Sequence, residues 1–169
     1  FRRVLFRSGV SYHFITEASS MEVKKILCAV DLEDTIAPSV EYAKMMASMT
    51  GASILVAYVI PAHTPYEDVY LSVNNQPNEV NNPNETIQKS MNALLAEQFA
   101  GMDATGVILV GRPSEELVKL AEEKGANLIV MGTHGRAGFD RLLFGSVAHE
   151  VVRAAPCPVM TVRPLMPKK

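Results

Sequence analysis

From residue 21 onward, short apolar runs alternate with longer stretches of helical periodicity. The first run, Ile26-Leu27-Cys28-Ala29-Val30, closes on Asp31. After it, Val40, Ala43, Met46 and Ala47 recur at three- and four-residue spacing, which lays an apolar stripe along one face of a helix. Asp34 or Thr35 can cap that helix, Pro38 suits its first turn and Gly51 ends it. The second run, Ile54 to Ile60, is apolar without alternation, the mark of a central strand covered on both faces. Pro61 to Asn82 then lacks periodicity and is long for a connection inside a compact domain, so it reads as a mobile or functional loop.

Asn82-Pro83-Asn84-Glu85 opens a second helix with an N-cap, proline at the first helical position and a capping-box glutamate, and the pattern carries it to Gly101. Val107 to Val110 is the third strand. Gly111-Arg112-Pro113 turns into a third helix, with Glu115 and Glu116 at its positive end and Lys124-Gly125 closing it. Leu128 to Met131 is the fourth strand, Ser146 to Ala154 a fourth helix stopped by Pro156, and Val159 to Val162 the fifth strand. Strands alternating with helices predict parallel βα units, and right-handed crossovers put helices on both faces. The fold class is therefore α/β, a Rossmann-like doubly wound sheet of five mainly parallel strands with four helices in a single domain.

Composition narrows the functional classes. The chain has 169 residues, 48% apolar and 20% charged, a globular profile large enough for a real core. A net charge of −2 offers no basic surface for nucleic acid. No apolar run reaches the roughly 18 residues that would span a bilayer, so no membrane insertion is expected. Two cysteines, Cys28 and Cys157, are too few for a disulfide framework and suit a reduced, cytoplasmic setting, a single bridge between them being the alternative. Residues 1–20 are expected to be a leader or an appended extension, with an Arg-rich transit peptide as the alternative. Residues 21–166 form the domain and 167–169 a tail. The nine methionines read mostly as core filler.

Candidate chemistry gathers at strand carboxyl ends, where open parallel sheets bind ligands. Asp31 follows the first strand, Val59-Ile60-Pro61 ends the second, and Gly132-Thr133-His134-Gly135 follows the fourth. Gly145-Ser146 then stands at the start of the fourth helix. Glycines let the main chain approach a ligand closely, and a helix start offers unpaired N–H groups to phosphate oxygens. There is neither a Gly-x-Gly-x-x-Gly after the first strand nor a Gly-x-x-x-x-Gly-Lys-Ser/Thr, which argues against a dinucleotide fold and a P-loop NTPase. The plain alternative for these glycines is tight turns and helix–strand packing. The plain alternatives are that Asp31 only caps a turn, that His134 is a solvated loop residue and that Arg136 is a surface charge, whereas for Arg141 the surface charge is the leading reading. His149 and Glu150 point in different directions and make no metal site.

Gly132-x2-Gly135-x9-Gly145-Ser146 resembles the ATP-binding motif of the nucleotide-binding branch of the universal stress protein family. The resemblance runs from about Lys24 to Arg163. It includes Lys25 to Asp31, the Gly111-Arg112-Pro113 turn, Met131 to Arg136 and Pro156-Cys157-Pro158-Val159. It implies that Asp31 lies beside an adenine nucleotide and that Val59 offers main-chain groups to the base. Met131, Gly132, His134, Gly135, Arg136, Gly145, Ser146 and Val147 would hold ribose and phosphates. Ala29 stands where the family commonly has proline or a small residue. The ligand would be ATP, AMP or ADP, with magnesium held through phosphates rather than by side chains.

The residues offer no nucleophile–base pair and no clustered carboxylates, so no catalytic residue is assigned. The leading expectation is a stress-response regulatory protein whose nucleotide occupancy alters assembly or contact with a regulatory protein partner, with slow ATP hydrolysis at most. The rivals are an ATP-consuming ligase-like enzyme and a nucleotide-free dimeric scaffold. The acidic turn Asp31-Leu32-Glu33-Asp34 counts against the first, and the intact glycine set against the second. The resemblance also implies a homodimer paired through Val159, Met160, Thr161 and Val162, an edge strand that avoids exposure by meeting its twin.

Overall fold

The structure, a computed structural model, describes residues 22–32, 38–61, 83–133 and 146–163. Five strands lie in it: β1 (Lys25–Ala29), β2 (Ser53–Pro61), β3 (Ala104–Gly111), β4 (Leu128–Gly132) and β5 (Val159–Val162). Four helices accompany them: α1 (Pro38–Thr50), α2 (Pro83–Gln98), α3 (Pro113–Lys124) and α4 (Ser146–Ala154). The sheet order is β3-β2-β1-β4-β5, and all four strand pairings are parallel. The winding therefore reverses between β1 and β4.

The apolar runs are continuous because both faces of the sheet are covered. Successive β1 side chains go to opposite cores. Ile26 and Cys28 meet Val40, Ala43, Met91 and Leu94 of α1 and α2. Leu27 meets Leu117, Leu120 and Val151 of α3 and α4. The stripe on α1 faces the sheet as its spacing predicts: Val40, Ala43 and Ala47 are buried and Met46 packs beside them. Among the described methionines Met91 and Met131 are buried, Met46, Met102 and Met160 are partly buried against the core, and Met45 and Met49 are exposed. Cys28 and Cys157 are free and lie against opposite faces of the sheet.

Local chemistry fixes the ends. Pro113 opens α3, and Gly125 closes it in the left-handed conformation at φ 63°. The amides of Gly125 and Ala126 reach back to the carbonyls of Glu122 and Ala121 at 3.1 and 2.8 Å, which satisfies the last turn. Next to it, the Asn127 side-chain oxygen accepts from the Lys24 and Lys25 amides at 2.9 and 3.0 Å, tying the start of β1 to the start of β4. Asp34, Thr35, Asn82 and most of the Pro61–Asn82 stretch lie outside the described residues. Two boundaries differ from expectation by three residues, the other strand ends by at most one. β3 begins three residues early, at Ala104, and α2 stops at Gln98, with Phe99 buried and Gly101 at φ 78°. No helix among the described residues is long and apolar enough to cross a membrane.

Candidate functional site

Pairing between β1 and β4 ends at Cys28–Val130. The flanking ladders run further. β1–β2 continues to Ala29–Ala57, β2–β3 to Pro61–Gly111 and β4–β5 to Gly132–Val162. β1 thus stops short of both neighbours: past Ala57 β2 has no β1 partner and past Val130 β4 has none, which leaves the carboxyl edge open around the end of β1, beside β4. That is the topological switch point, where open α/β sheets take ligands.

Several of the residues singled out in the sequence border this opening. Ala29 is the last residue of β1, and Asp31, half-buried and with a partner of its own, follows it. Met131 and Gly132 end β4, Met131 buried in the core beneath. Thr133, also buried, is anchored by its amide to the Val162 carbonyl at 2.9 Å. Ser146 and Val147 open α4, Ser146 exposed and Val147 packed against the core. Val59 comes from β2, its side chain buried on the α3–α4 side of the sheet. The Ser53 amide bonds to Lys24 and the Val30 amide to Ala57 on the β1 side, at 3.0 and 2.9 Å. By the two-residue alternation of a strand, the N–H and C=O of Val59 turn to that side too, past the last β1–β2 pair. His134, Gly135, Arg136, Arg141 and Gly145 lie outside the described residues.

The sequence reading did not anticipate a polar link beside this edge. Glu150 of α4 accepts from the Ser114 hydroxyl and from Arg112, the latter at 2.8 Å, and Arg112 also reaches Glu115 at 3.0 Å. The Ser114 bond, reinforced by the Arg112 charge, holds the Glu150 carboxyl below the ordinary range. Glu150 and then Glu115 hold the Arg112 guanidinium above its own. A groove of about 550 Å³ between α3 and α4 is lined by these groups with Lys119, Glu122 and Arg153. None of the switch-point residues lines it, and of its charges Arg112, Glu115 and Glu150 are paired with one another. No group of three or more His, Cys, Asp or Glu able to hold a metal occurs among the described residues.

A single doubly wound parallel sheet with helices on both faces, its winding reversed between β1 and β4, defines a Rossmann-like α/β protein. The Universal stress protein family profile matches residues 22–163, and the chain belongs to that family. It is 28% identical over 157 residues to Universal stress protein MJ0577 of Methanocaldococcus jannaschii, covering 85% of this chain and 97% of that one. The solved structure of MJ0577 superposes with a TM-score of 0.71 at 26% identity, over 86% of this chain and 99% of the other. Two further structures share the fold. A universal stress protein in complex with cAMP has a TM-score of 0.62 at 22% identity and covers 84% of this chain and 98% of its own. The Archaeoglobus fulgidus universal stress protein in complex with dAMP has a TM-score of 0.52 at 24% identity and covers 83% of this chain and 98% of its own.

Proposed function

We propose that this protein binds an adenine nucleotide, ATP foremost, in the opening between β1 and β4, and that occupancy regulates its assembly or its contact with a protein partner in the stress response. The observation that carries this reading is the early end of the β1–β4 ladder at Cys28–Val130, with the Val59 main chain turned toward the gap. A strand interior has no spare N–H or C=O to offer. Beyond the end of β1 both groups of Val59 are turned to where an adenine edge would need them. The complexes of relatives with cAMP and dAMP support the base being adenine.

In this reading Ala29 and Asp31 flank the nucleotide on one side and Met131 and Gly132 on the other. His134, Gly135, Arg136, Gly145, Ser146 and Val147 take ribose and phosphates. The start of α4 supplies amide donors and the positive end of its dipole to the phosphates, and Ser146 a hydroxyl. Magnesium, when present, is held through phosphate oxygens and helped into position by Asp31. In this reading hydrolysis is slow at most, and the protein acts as a binding module in the cytoplasm. It works as a homodimer joined through β5. The 3.0 Å bond from Ile129 to Pro158 and the 2.9 Å bond from Thr133 to Val162 set the register of β5 on β4. By the regular parallel pattern the N–H and C=O of Val159 and Thr161 then point outward, open to a second strand.

Calorimetric titration of ATP and AMP into wild type and a Gly135→Val, Ser146→Ala double variant tests the site. Micromolar ATP binding that is lost in the variant is expected, with phosphate release no faster than a slow background. If neither nucleotide binds wild type and none co-purifies with it, the glycine loop is structural and the scaffold reading replaces this one.

A further inference from the structure

Arg112 directly follows β3, the outermost strand on one side of the sheet. Glu150, which it meets at 2.8 Å, stands on α4, a helix that packs on α3 and on β5 at the other side. The guanidinium therefore reaches inward along the carboxyl edge, from the β3 side toward the switch point. Glu150 comes four residues after Ser146, so the two are neighbours on α4, about 6 Å apart along its axis. Helical side chains lean toward the start of their own helix, which places the Arg112 charge within about 10 Å of the start of α4.

This cluster does little for stability, because its charges are exposed, but it sets the local charge. Glu115 and Glu150 bring two carboxylates together, and among the described residues Arg112 is the one cation within ion-pair distance of either. Lys119 lines the groove further along α3 and pairs with Glu123, and Arg153 lies nearly one turn beyond Glu150. The buried Ser114 hydroxyl is bound to the same Glu150 carboxylate, which fixes that charge near the helix start.

We propose that Arg112 is a specificity-determining residue for the phosphate chain: it cancels the Glu150 charge one turn from the start of α4 and so favours a nucleoside triphosphate over a monophosphate. The proposal rests on the nucleotide reading above, which places the phosphates at that helix start. The amide donors and the dipole there receive phosphate oxygens whatever the length of the chain. A fixed carboxylate nearby opposes them in proportion to their charge, and a guanidinium beside it removes that opposition. The effect crosses solvent, so it grows with ligand charge and fades with salt.

Titration calorimetry of ATP and of AMP tests this, without magnesium and at low and high salt. The proteins are wild type, Arg112→Gln, Glu150→Gln and the double variant, with circular dichroism to confirm folding. At low salt Arg112→Gln should weaken ATP by about three- to tenfold and AMP, which carries less charge, by about two- to threefold. Glu150→Gln should strengthen ATP, because the guanidinium is then freed of that carboxylate. The double variant should return toward wild type, and high salt should shrink every difference. A link that only holds α4 in place would weaken both nucleotides alike in all three variants at either salt, and that result overturns the proposal. Affinities that no variant moves also overturn it, while leaving the nucleotide site standing. A wild type that binds neither nucleotide overturns the nucleotide reading and this inference with it.

Discussion

Glu150 on α4 and Arg112 at the entry to α3 are 38 residues apart in the chain and 2.8 Å apart in space, with the Ser114 hydroxyl bound to the same carboxylate. The link joins the two helices that cover one face of the sheet, from the middle of α4 to the start of α3. A carboxylate placed at a helix start also meets the positive end of that helix. Arg112 and Glu150 are solvent-exposed, although Ser114 is buried, so the ion pair in the link is worth little in stability. Glu150→Gln or Ser114→Ala should lower the melting temperature by only about 1–3 °C.

The pH dependence of that effect follows from the direction of the shift. Glu150 is held below its ordinary value of 4.5 in the folded protein. Its contribution is therefore fully present above the unfolded value and is lost as pH falls through the lower folded one. The melting difference between wild type and Glu150→Gln should be constant from neutral pH down to about 5 and should shrink below about 4. Calorimetric scans of both proteins across that range check it. A gap that widens on acidification would mean that the carboxylate is not what holds the helices.

Gly106 in β3 is fixed by close approach rather than by backbone conformation. A Cβ built there would stand 2.6 Å from Met91 Cγ, 2.8 Å from Met91 Sδ and 3.1 Å from Leu95 Cδ1. Met91 is fully buried and has no free side to yield into. Gly106→Ala should therefore destabilise by about 1–3 kcal/mol. Met91→Ala alone should cost about 2–5 kcal/mol through the cavity it leaves. The double variant should cost clearly less than the two single losses added, because the new methyl enters the vacated space. Urea denaturation of the four proteins measures this coupling.

The two thiols should differ in reactivity. Burial alone pushes Cys28 up to about 12, whereas Cys157 is only partly buried and its thiol is raised less far. The thiolate is the reacting form, so neither is a fast nucleophile at neutral pH. A thiol-specific reagent should label Cys157 slowly in the native protein and Cys28 only after unfolding. Mass mapping of the labelled peptides after native and denatured exposure tells them apart.

The same contacts explain which parts of the architecture could be read from the chain. The strand and helix order was legible because continuous apolar runs and three-to-four spacing report burial directly, and here burial on both faces set the fold. β3 was read too short because Ala104-Thr105-Gly106 has weak strand character. Its extension is dictated by α2, which needs the space a glycine leaves. α2 was read too long because Phe99 is apolar in phase, yet it is buried in a turn after the helix has ended. The Glu150 link carried no signal at all, being three common polar residues joined only by tertiary packing. The residues bordering the β1–β4 opening were legible from strand ends. The opening itself was not, since it depends on where the β1–β4 ladder stops.

Asp31 and Val59 should respond to substitution in opposite ways if the nucleotide occupies that opening. Asp31 acts through its side chain, so Asp31→Ala should weaken ATP by about tenfold while leaving the melting temperature nearly unchanged, since the residue is only half-buried. Val59 acts through its main chain, and its side chain packs with Leu117 and Leu120 in the opposite core. Val59→Ala should cost about 1–3 kcal/mol of stability and leave the affinity of the folded protein within about twofold. Titration calorimetry and thermal melts on both variants give the two readouts side by side. Loss of affinity in Val59→Ala without loss of stability would place the side chain, not the backbone, against the ligand. Full affinity in Asp31→Ala would move the nucleotide away from the end of β1.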